Sequence, residues 1–332
     1  MHKVGVDLPT EHRAWAWSAG KQPLALQLEA QPLPKPSAGE VLIANRVIGM
    51  NPVDWKALGG FIAPWMPGHV PGVDGAGVVV AVGADVAADL VGQRIAYHQD
   101  LQRDGSFAEY TVVQHRALLR IPAALEFEEA AAFPCPGLTA WLALEKLPMR
   151  ANGRLLINGA GGSVGHYLVQ LATQRGWDVT TCSHERHWSR LADLGARHCL
   201  HHSSGDDGMP LPQGLLMHAA IDCIGPDAAM LLVPALAANG HLVCIQGRVE
   251  QWPCAPFGRA LSMHEVALGA LHHHGDDDDW LSLTAAGESI LKTMSEGKIV
   301  GEKRVVRLFD ELASVLDVLK HKDFTGKLVL KF

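Results

Sequence analysis

The segment with the plainest chemistry is Asn158-Gly159-Ala160-Gly161-Gly162-Ser163-Val164-Gly165. It follows the apolar run Arg154-Leu155-Leu156-Ile157 and leads into another, Tyr167 to Ala172. Glycines at such a turn let the main chain approach a pyrophosphate. A helix starting there adds unpaired N–H groups and the positive end of its dipole. Between a buried strand and an apolar helix, the pattern reads as a nucleotide-binding turn, with Gly159, Gly162 and Gly165 as its flexible points.

The end of the next strand, Asp178-Val179-Thr180-Thr181-Cys182, bears on the nucleotide. An NAD site usually carries Asp or Glu there, to bind the adenosine ribose diol. Cys182 is no acid, and Ser183-His184-Glu185-Arg186-His187 follows, with Arg190 a turn further on. A hydroxyl and several cations suit a ribose 2′-phosphate. The expected cofactor is therefore NADP, held through Ser183, Arg186 and Arg190. The same residues read otherwise as a solvated helix start with Ser183 as N-cap, and Glu185 is the one acid among them.

Other reactive side chains are scattered. The six cysteines (135, 182, 199, 223, 244 and 254) form no CxxC pair, and most sit in or beside apolar runs, as reduced thiols of a cytoplasmic protein would. His272-His273-His274, followed by Gly275 and Asp276 to Asp279, resembles a metal tract in composition. Adjacent imidazoles point different ways, however, so a solvated loop is expected. Among the lone histidines His98, His115 and His264, His98 is the best placed for acid–base work, because it follows a strand.

Two patterns must position these groups. From about 20 to 120, short β runs alternate with Gly and Pro turns: 41–44, 77–83, 94–97 and 108–113. This predicts an antiparallel, barrel-like domain. After Pro122 come helices over 127–132 and 138–147. Strands at 154–158, 178–182, 218–223 and 241–245 then alternate with helices over 167–172 and 186–194. Such alternation predicts an α/β domain with a doubly wound parallel sheet. A last helix (311–320) precedes a strand (326–330) that has no place in the parallel series and is expected to return to the first domain. The predicted division is 1–122 with 300–332 for the first domain and 123–299 for the second.

Bulk composition narrows the function classes. The 332 residues, 48% hydrophobic and 19% charged, fill two globular cores. With 28 basic and 35 acidic residues the formal charge is −7, which argues against nucleic acid or an anionic membrane as partner. The first residues lack the apolar run of a signal peptide, and the apolar stretches are too short to span a bilayer.

Several motifs, in one order along nearly the whole chain, resemble the medium-chain dehydrogenase/reductase superfamily. They are Gly49-Met50-Asn51-Pro52-Val53-Asp54-Trp55-Lys56, Pro71-Gly72-Val73-Asp74-Gly75-Ala76-Gly77, Gly105-Ser106-Phe107-Ala108-Glu109-Tyr110, Gly137-Leu138-Thr139-Ala140, the glycine turn and Asp222-Cys223-Ile224-Gly225. The resemblance implies a GroES-like catalytic domain built from both chain ends around a Rossmann domain, a cofactor in the cleft between them, and commonly a dimer. Asn51 and Val73 stand where the zinc-dependent branch places two ligands, and only Cys135 matches the third. One thiolate cannot hold a zinc that needs about three protein ligands. The chain therefore looks like the zinc-free quinone-oxidoreductase branch, with no metal expected.

That branch implies further roles. Asn51 and Lys56 face the nicotinamide as the expected catalytic pair, although Lys56 reads equally as a surface lysine and Asp54 as structural. Thr139 reaches the nicotinamide region or simply starts a helix. Ser163 and Val164 meet the pyrophosphate. His202 lies against the adenine or in solvent. Gly225, Ile245 and Gly247 border the cofactor, and Lys327 lies near the cleft. The expected activity is hydride transfer from NADPH to a quinone, enone or similar conjugated carbonyl. An alcohol or aldehyde dehydrogenase and a non-catalytic NADPH-binding sensor are the alternatives. A homodimer is expected, with the apolar run Glu265 to Leu271 as its edge strand and Asp276–Asp279 blocking further growth by repulsion.

Overall fold

The parallel series emerges as a six-stranded sheet in the order His198–Leu200, Asp178–Cys182, Arg154–Asn158, Met217–Asp222, Leu236–Cys244, Ser262–Glu265. Every pairing in it is parallel. This computed structural model describes residues 2–3, 8–59, 65–150, 152–201, 211–212, 214–321, 324 and 326–332. Leu155, Leu156 and Ile157 of the inner strand are wholly buried, so it reads as a continuous apolar run rather than an alternating one. From Arg154–Asn158 the chain winds outward in one direction, then returns to Met217–Asp222 and winds outward in the other. That reversal is where a doubly wound sheet opens a crevice at its carboxyl ends.

An eight-stranded sheet forms the other unit. Its path is Arg304–Leu308, Lys327–Lys331, Glu40–Gly49, Asp74–Val82, Arg94–His98, Leu118–Arg120, with His2–Lys3 and Tyr110–Gln114 paired at its side. Arg304–Leu308 and Lys327–Lys331 run parallel, whereas Lys327–Lys331 pairs antiparallel with Glu40–Gly49. The last strand thus returns to the first domain, as its place in the sequence predicts. Its inward residues Leu328 and Leu330 join Ile48, Met50, Phe107 and Leu316 in one core. The parallel sheet has its own core, around Leu156, Ala220, Leu232 and Leu242.

The chain divides into two compact units, Met1–Cys135 with Gly269–Phe332, and Pro136–Leu268. These limits differ from the predicted 122/123 and 299/300. Helix Phe127–Ala132 belongs with the first unit because it rests directly on strand Glu40–Gly49. A Cβ on Gly49 would stand 2.0 Å from the Ala131 carbonyl oxygen. The Arg94 guanidinium also lies 4.4 Å from the Phe127 ring centre and donates to the carbonyls of Pro122, Ala123 and Leu125. Helix Asp277–Ser295 joins the same unit, where Glu288 accepts from the Arg120 N–H and Trp280 lies under Arg116.

Three expectations need correction here. The outer strand ends at Glu265, and residues 268–270 and Leu271–His274 are helical, so the apolar run Glu265 to Leu271 is no strand. Its valine and leucines are spent on burial: Val266 and Leu268 are both buried. The histidine run is a helical turn rather than a loop; His273 and His274 are exposed as expected, whereas the His272 ring packs 4.9 Å from that of Trp280. Asp276 to Asp279 cap a helix: Asp276 accepts from the Asp279 N–H and Asp279 from the Asp276 N–H. Carboxylates there meet the positive end of a 19-residue helix. Among the described residues, no helix is long and apolar enough to cross a membrane.

Candidate active site

In the parallel-sheet unit, the glycine turn has the shape a phosphate requires. Gly159 adopts φ +73°, and its N–H and that of Ala160 both donate to the Cys182 carbonyl. A Cβ on Gly159 would press to 2.9 Å against Ile224, so only glycine fits. Gly162 is the N-cap of helix Ser163–Gln174 and is exposed, with Ser163 and Val164 partly exposed in the first turn. Gly165 is buried against Ala160, where a Cβ would come within 2.4 Å of its carbonyl oxygen. The turn therefore offers an open helix N-terminus with no side chain over Gly162.

Around it stand the other predicted cofactor residues. Asp222, at the end of its strand, accepts from the Gly225 N–H at 2.7 Å, the Ile224 N–H at 3.0 Å and Asn158 Nδ2 at 2.8 Å. The Ile245 N–H donates to the Asp222 carbonyl, and Gly247 follows at φ +89°. Gly159, Gly225, Ile245 and Gly247 thus gather at the carboxyl ends of adjacent strands. Thr139 lies buried in the second turn of helix Pro134–Glu145, not at its start.

The basic segment folds back on the glycines. His187 lies over Gly161, where a Cβ would meet its ring at 2.4 Å. Arg190 donates to the Gly161 carbonyl at 2.7 Å and pairs with His166 Nδ1 at 2.9 Å. Arg186 is exposed, and its Nε contacts His187 Nε2 at 3.2 Å. Burial and the charges of Arg190 and Arg186 push the His187 pKa down to about 4. This is the field an anion would relieve. Ser183 is buried and its hydroxyl turns to the His184 carbonyl; His184, not Ser183, caps the following turn. His202 lies outside the described residues.

The other unit holds a buried polar cluster. Asp74 and His98 face each other in register on neighbouring antiparallel strands, with Oδ1 and Nδ1 2.8 Å apart. The second oxygen of Asp74 accepts from Asn51 Nδ2 and from the Cys135 N–H, each at 2.9 Å. Lys327 donates to Asn51 Oδ1. Asp54 accepts from the Asn51 N–H at 2.7 Å and the Val73 N–H at 3.2 Å, capping helix Pro52–Leu58. Asp54 and Asp74 are wholly inaccessible, and Asn51, Lys327 and His98 nearly so. Such a cluster persists only when its hydrogen bonds are made.

The sequence reading had named Asn51 and Lys327 separately, and the structure joins them. Lys56 lies a turn away on the same helix, with its ammonium 5.8 Å from the Trp55 ring. Asp74 as the hub of the cluster was missed. The signal was present: a lone acid in the apolar strand Asp74–Val82 must find a partner. His115 is satisfied by the Gly39 carbonyl and His264 by His241.

A zinc ion, which the alcohol-dehydrogenase side of this fold implies, fits these residues poorly. One donor atom each of Asp74, His98 and Cys135 lies within 4.8 Å of the others. Yet both Asp74 oxygens already serve three donors, and His98 Nδ1 is one of them. Burial and the Asp74 charge hold the Cys135 thiol well above its usual range in the metal-free chain. The cation of the cluster is the Lys327 ammonium, bound to the residue that stands where a ligand is required.

Comparison with known proteins agrees with both units. Residues 37–123 match the alcohol dehydrogenase GroES-like domain. The chain is 31% identical over 224 residues to a chloroplastic quinone oxidoreductase of Triphysaria versicolor, covering 64% of this chain and 68% of that one. It is 29% identical over 330 residues to prostaglandin reductase-3 of Bos taurus, covering 90% and 83%. The quinone oxidoreductase structure from Coxiella burnetii superposes with a TM-score of 0.81 at 23% identity, over 97% of this chain and 99% of that one. The chain belongs to the medium-chain dehydrogenase/reductase superfamily, in its quinone-oxidoreductase-like branch. It is an oxidoreductase of the type that uses a nicotinamide cofactor.

Proposed function

We propose that this chain reduces a quinone, enone or similar conjugated carbonyl with NADPH, without a metal, as a homodimer. The observation that carries this reading is the state of Asn51. Its amide is bonded to Lys327 and Asp74 at a position where a metal-dependent relative would need a thiolate. Without a Lewis acid an isolated alcohol or aldehyde is poorly polarised, whereas a conjugated acceptor needs less help. The relatives point the same way, since they are named as quinone oxidoreductases, a prostaglandin reductase and a 2-methylene-furan-3-one reductase.

When bound, the nicotinamide cofactor supplies the hydride. The protein's part is to bind and orient. The open N-terminus of helix Ser163–Gln174 takes the pyrophosphate, Arg186 the 2′-phosphate and Thr139 the nicotinamide end. Hydrogen bonds to Asp54, Asp74 and Lys327 hold Asn51 rigid, and Lys56, a turn further along the same helix, supplies a donor for developing oxyanion charge. Six free cysteines suit a reducing compartment such as the cytosol.

Stopped-flow oxidation of NADPH against a panel of quinones and enones tests the reading. Turnover of several conjugated acceptors, with little for saturated aldehydes, is expected. Faster turnover of alcohols with NADP+, or no turnover despite tight NADPH binding, would overturn it in favour of a dehydrogenase or a sensor.

A further inference from the structure

Hydride addition to a conjugated carbonyl leaves an oxyanion that must take up a proton. We propose that His98, oriented by Asp74, donates that proton, and that the helical turn Leu271–His274 links it to solvent. The inference rests on the reductase reading above.

The geometry is that of an oriented acid–base histidine. Asp74 sits opposite His98 in the strand register, and its Oδ1 takes Nδ1 at 2.8 Å. The Asp74 carboxylate cannot swing away, because its other oxygen is held by Asn51 Nδ2 and the Cys135 N–H. With Nδ1 committed, Nε2 is the edge of the ring left for transfer. A carboxylate fixed on one ring nitrogen orients the other toward a reacting group, as in other oriented acid–base histidines.

The histidine run covers this pair. The His272 ring lies 6.3 Å from that of His98, inclined by 30°. Its Nε2 is buried with no partner. Such a nitrogen beside a second imidazole is a place for a proton or a water to rest. Burial and His98 push the His272 pKa down to about 4, so it stays neutral and able to accept. The next residue, His273, is partly exposed and lies 3.2 Å from Asp100 Oδ1. Among the described residues, the titratable groups around His98 are Asp74, Cys135 and His272, with Asp100 acting on His272 and pairing with His273 at the solvent edge.

The step balances as follows. Hydride from NADPH forms a C–H bond on the acceptor, and its π electrons move to oxygen. The Nε2–H bond of imidazolium His98 breaks as the O–H bond forms. Neutral His98 then regains a proton from water by way of His272. The products are NADP+ and an enol, which tautomerises in water to the saturated carbonyl or, from a quinone, to the hydroquinone.

Steady-state reduction of an enone that the wild type turns over tests this, with variants His98→Gln, His98→Ala and His272→Phe. General acid catalysis contributes on the order of 10²-fold or more, so His98→Gln should lose about that in kcat, while NADPH binding by fluorescence holds. The alkaline fall of the wild-type kcat should vanish with it. Added imidazole should restore His98→Ala, and His272→Phe should enlarge the solvent deuterium effect on kcat. A His98→Gln profile parallel to that of the wild type, or a loss in His98→Ala that imidazole does not repair, would overturn the proposal. Should the variants fold poorly, the wild type decides alone: no alkaline limb and no solvent deuterium effect would overturn it equally. A wild type inactive on every quinone and enone would strike the reductase reading beneath it instead.

Discussion

Lys327 and Asn51, 276 residues apart in the chain, meet in a buried hydrogen bond. The bond sets the Lys327 amino group beside the residue that stands where the zinc-dependent branch places a ligand. Purified protein should therefore carry far less than one zinc per chain by elemental analysis, before and after incubation with excess zinc and a desalting step. Close to one ion per chain that survives mild chelation would contradict the metal-free site. Lys327→Met should not create zinc binding, because Asn51 and Val73 remain poor ligands.

Arg186 and Arg190 stand near one another yet have different duties. Arg186 is exposed, whereas Arg190 clasps the Gly161 carbonyl and His166. Arg186→Ala should weaken NADPH by about tenfold, equivalent to ~1.4 kcal/mol, with little change for NADH. Arg190→Ala should weaken both nucleotides together, because it loosens the turn that meets their shared pyrophosphate. Fluorescence titration distinguishes the two patterns. Equal affinity of the wild type for NADH and NADPH would remove the ground for the 2′-phosphate assignment.

Asp54 should leave a mark on stability against pH. Burial, with a contribution from the Asp74 charge, pushes its pKa up to about 8 in the folded chain, against 3.8 as the ordinary value. Between those values the unfolded chain has released the proton that the folded chain still holds. The unfolded state then binds fewer protons, so this group's contribution to stability falls as pH rises from about 4 to 8. Tm measured across that range should decline more steeply for the wild type than for Asp54→Asn. The variant also loses part of a helix cap, lowering its stability by about 1 kcal/mol at acid pH. Parallel Tm curves would show that Asp54 is ionised in the fold.

The dimer proposal has a specific point of failure. Strand Ser262–Glu265 lies at one edge of the parallel sheet, and the Val266 N–H donates inward to Cys244. By the alternation of a parallel ladder, Met263 and Glu265 turn their N–H groups outward. Met263→Pro removes an outward donor and spares the inner ladder. If two copies join along this edge, light scattering should show the wild type at twice 35.7 kDa and the variant shifted toward 35.7 kDa with its fold retained. A monomeric wild type at micromolar concentration would rule out the assembly, and a variant dimer of full strength would place the interface elsewhere.

The parallel-sheet unit was legible along the chain because its signals are local. Arg154–Asn158 and Asp178–Cys182 have the limits their apolar runs suggest, and the glycine turn lies between strand and helix within one short segment. Local patterning also placed the last strand outside the parallel series. It failed where long-range packing overrides local preference. The run from Glu265 to Leu271 looks like a strand, but past Glu265 it turns helical and buries Val266 and Leu268. The histidine run looks solvated, yet His272 finds Trp280 and His98 as neighbours.

The sequence by itself determined the glycine turn between strand and helix, the absence of acid at Cys182 and the presence of Asn51 and Val73 at their positions, since each depends on which residues stand there. The tertiary structure decided what surrounds Asn51. Asp74 meets His98 only through the register of two antiparallel strands, and Lys327 reaches Asn51 only when the final strand pairs with Glu40–Gly49. Hydrogen bonds of that kind depend on distances of about 3 Å between groups brought together by strand pairing, and residue spacing along a chain does not encode them.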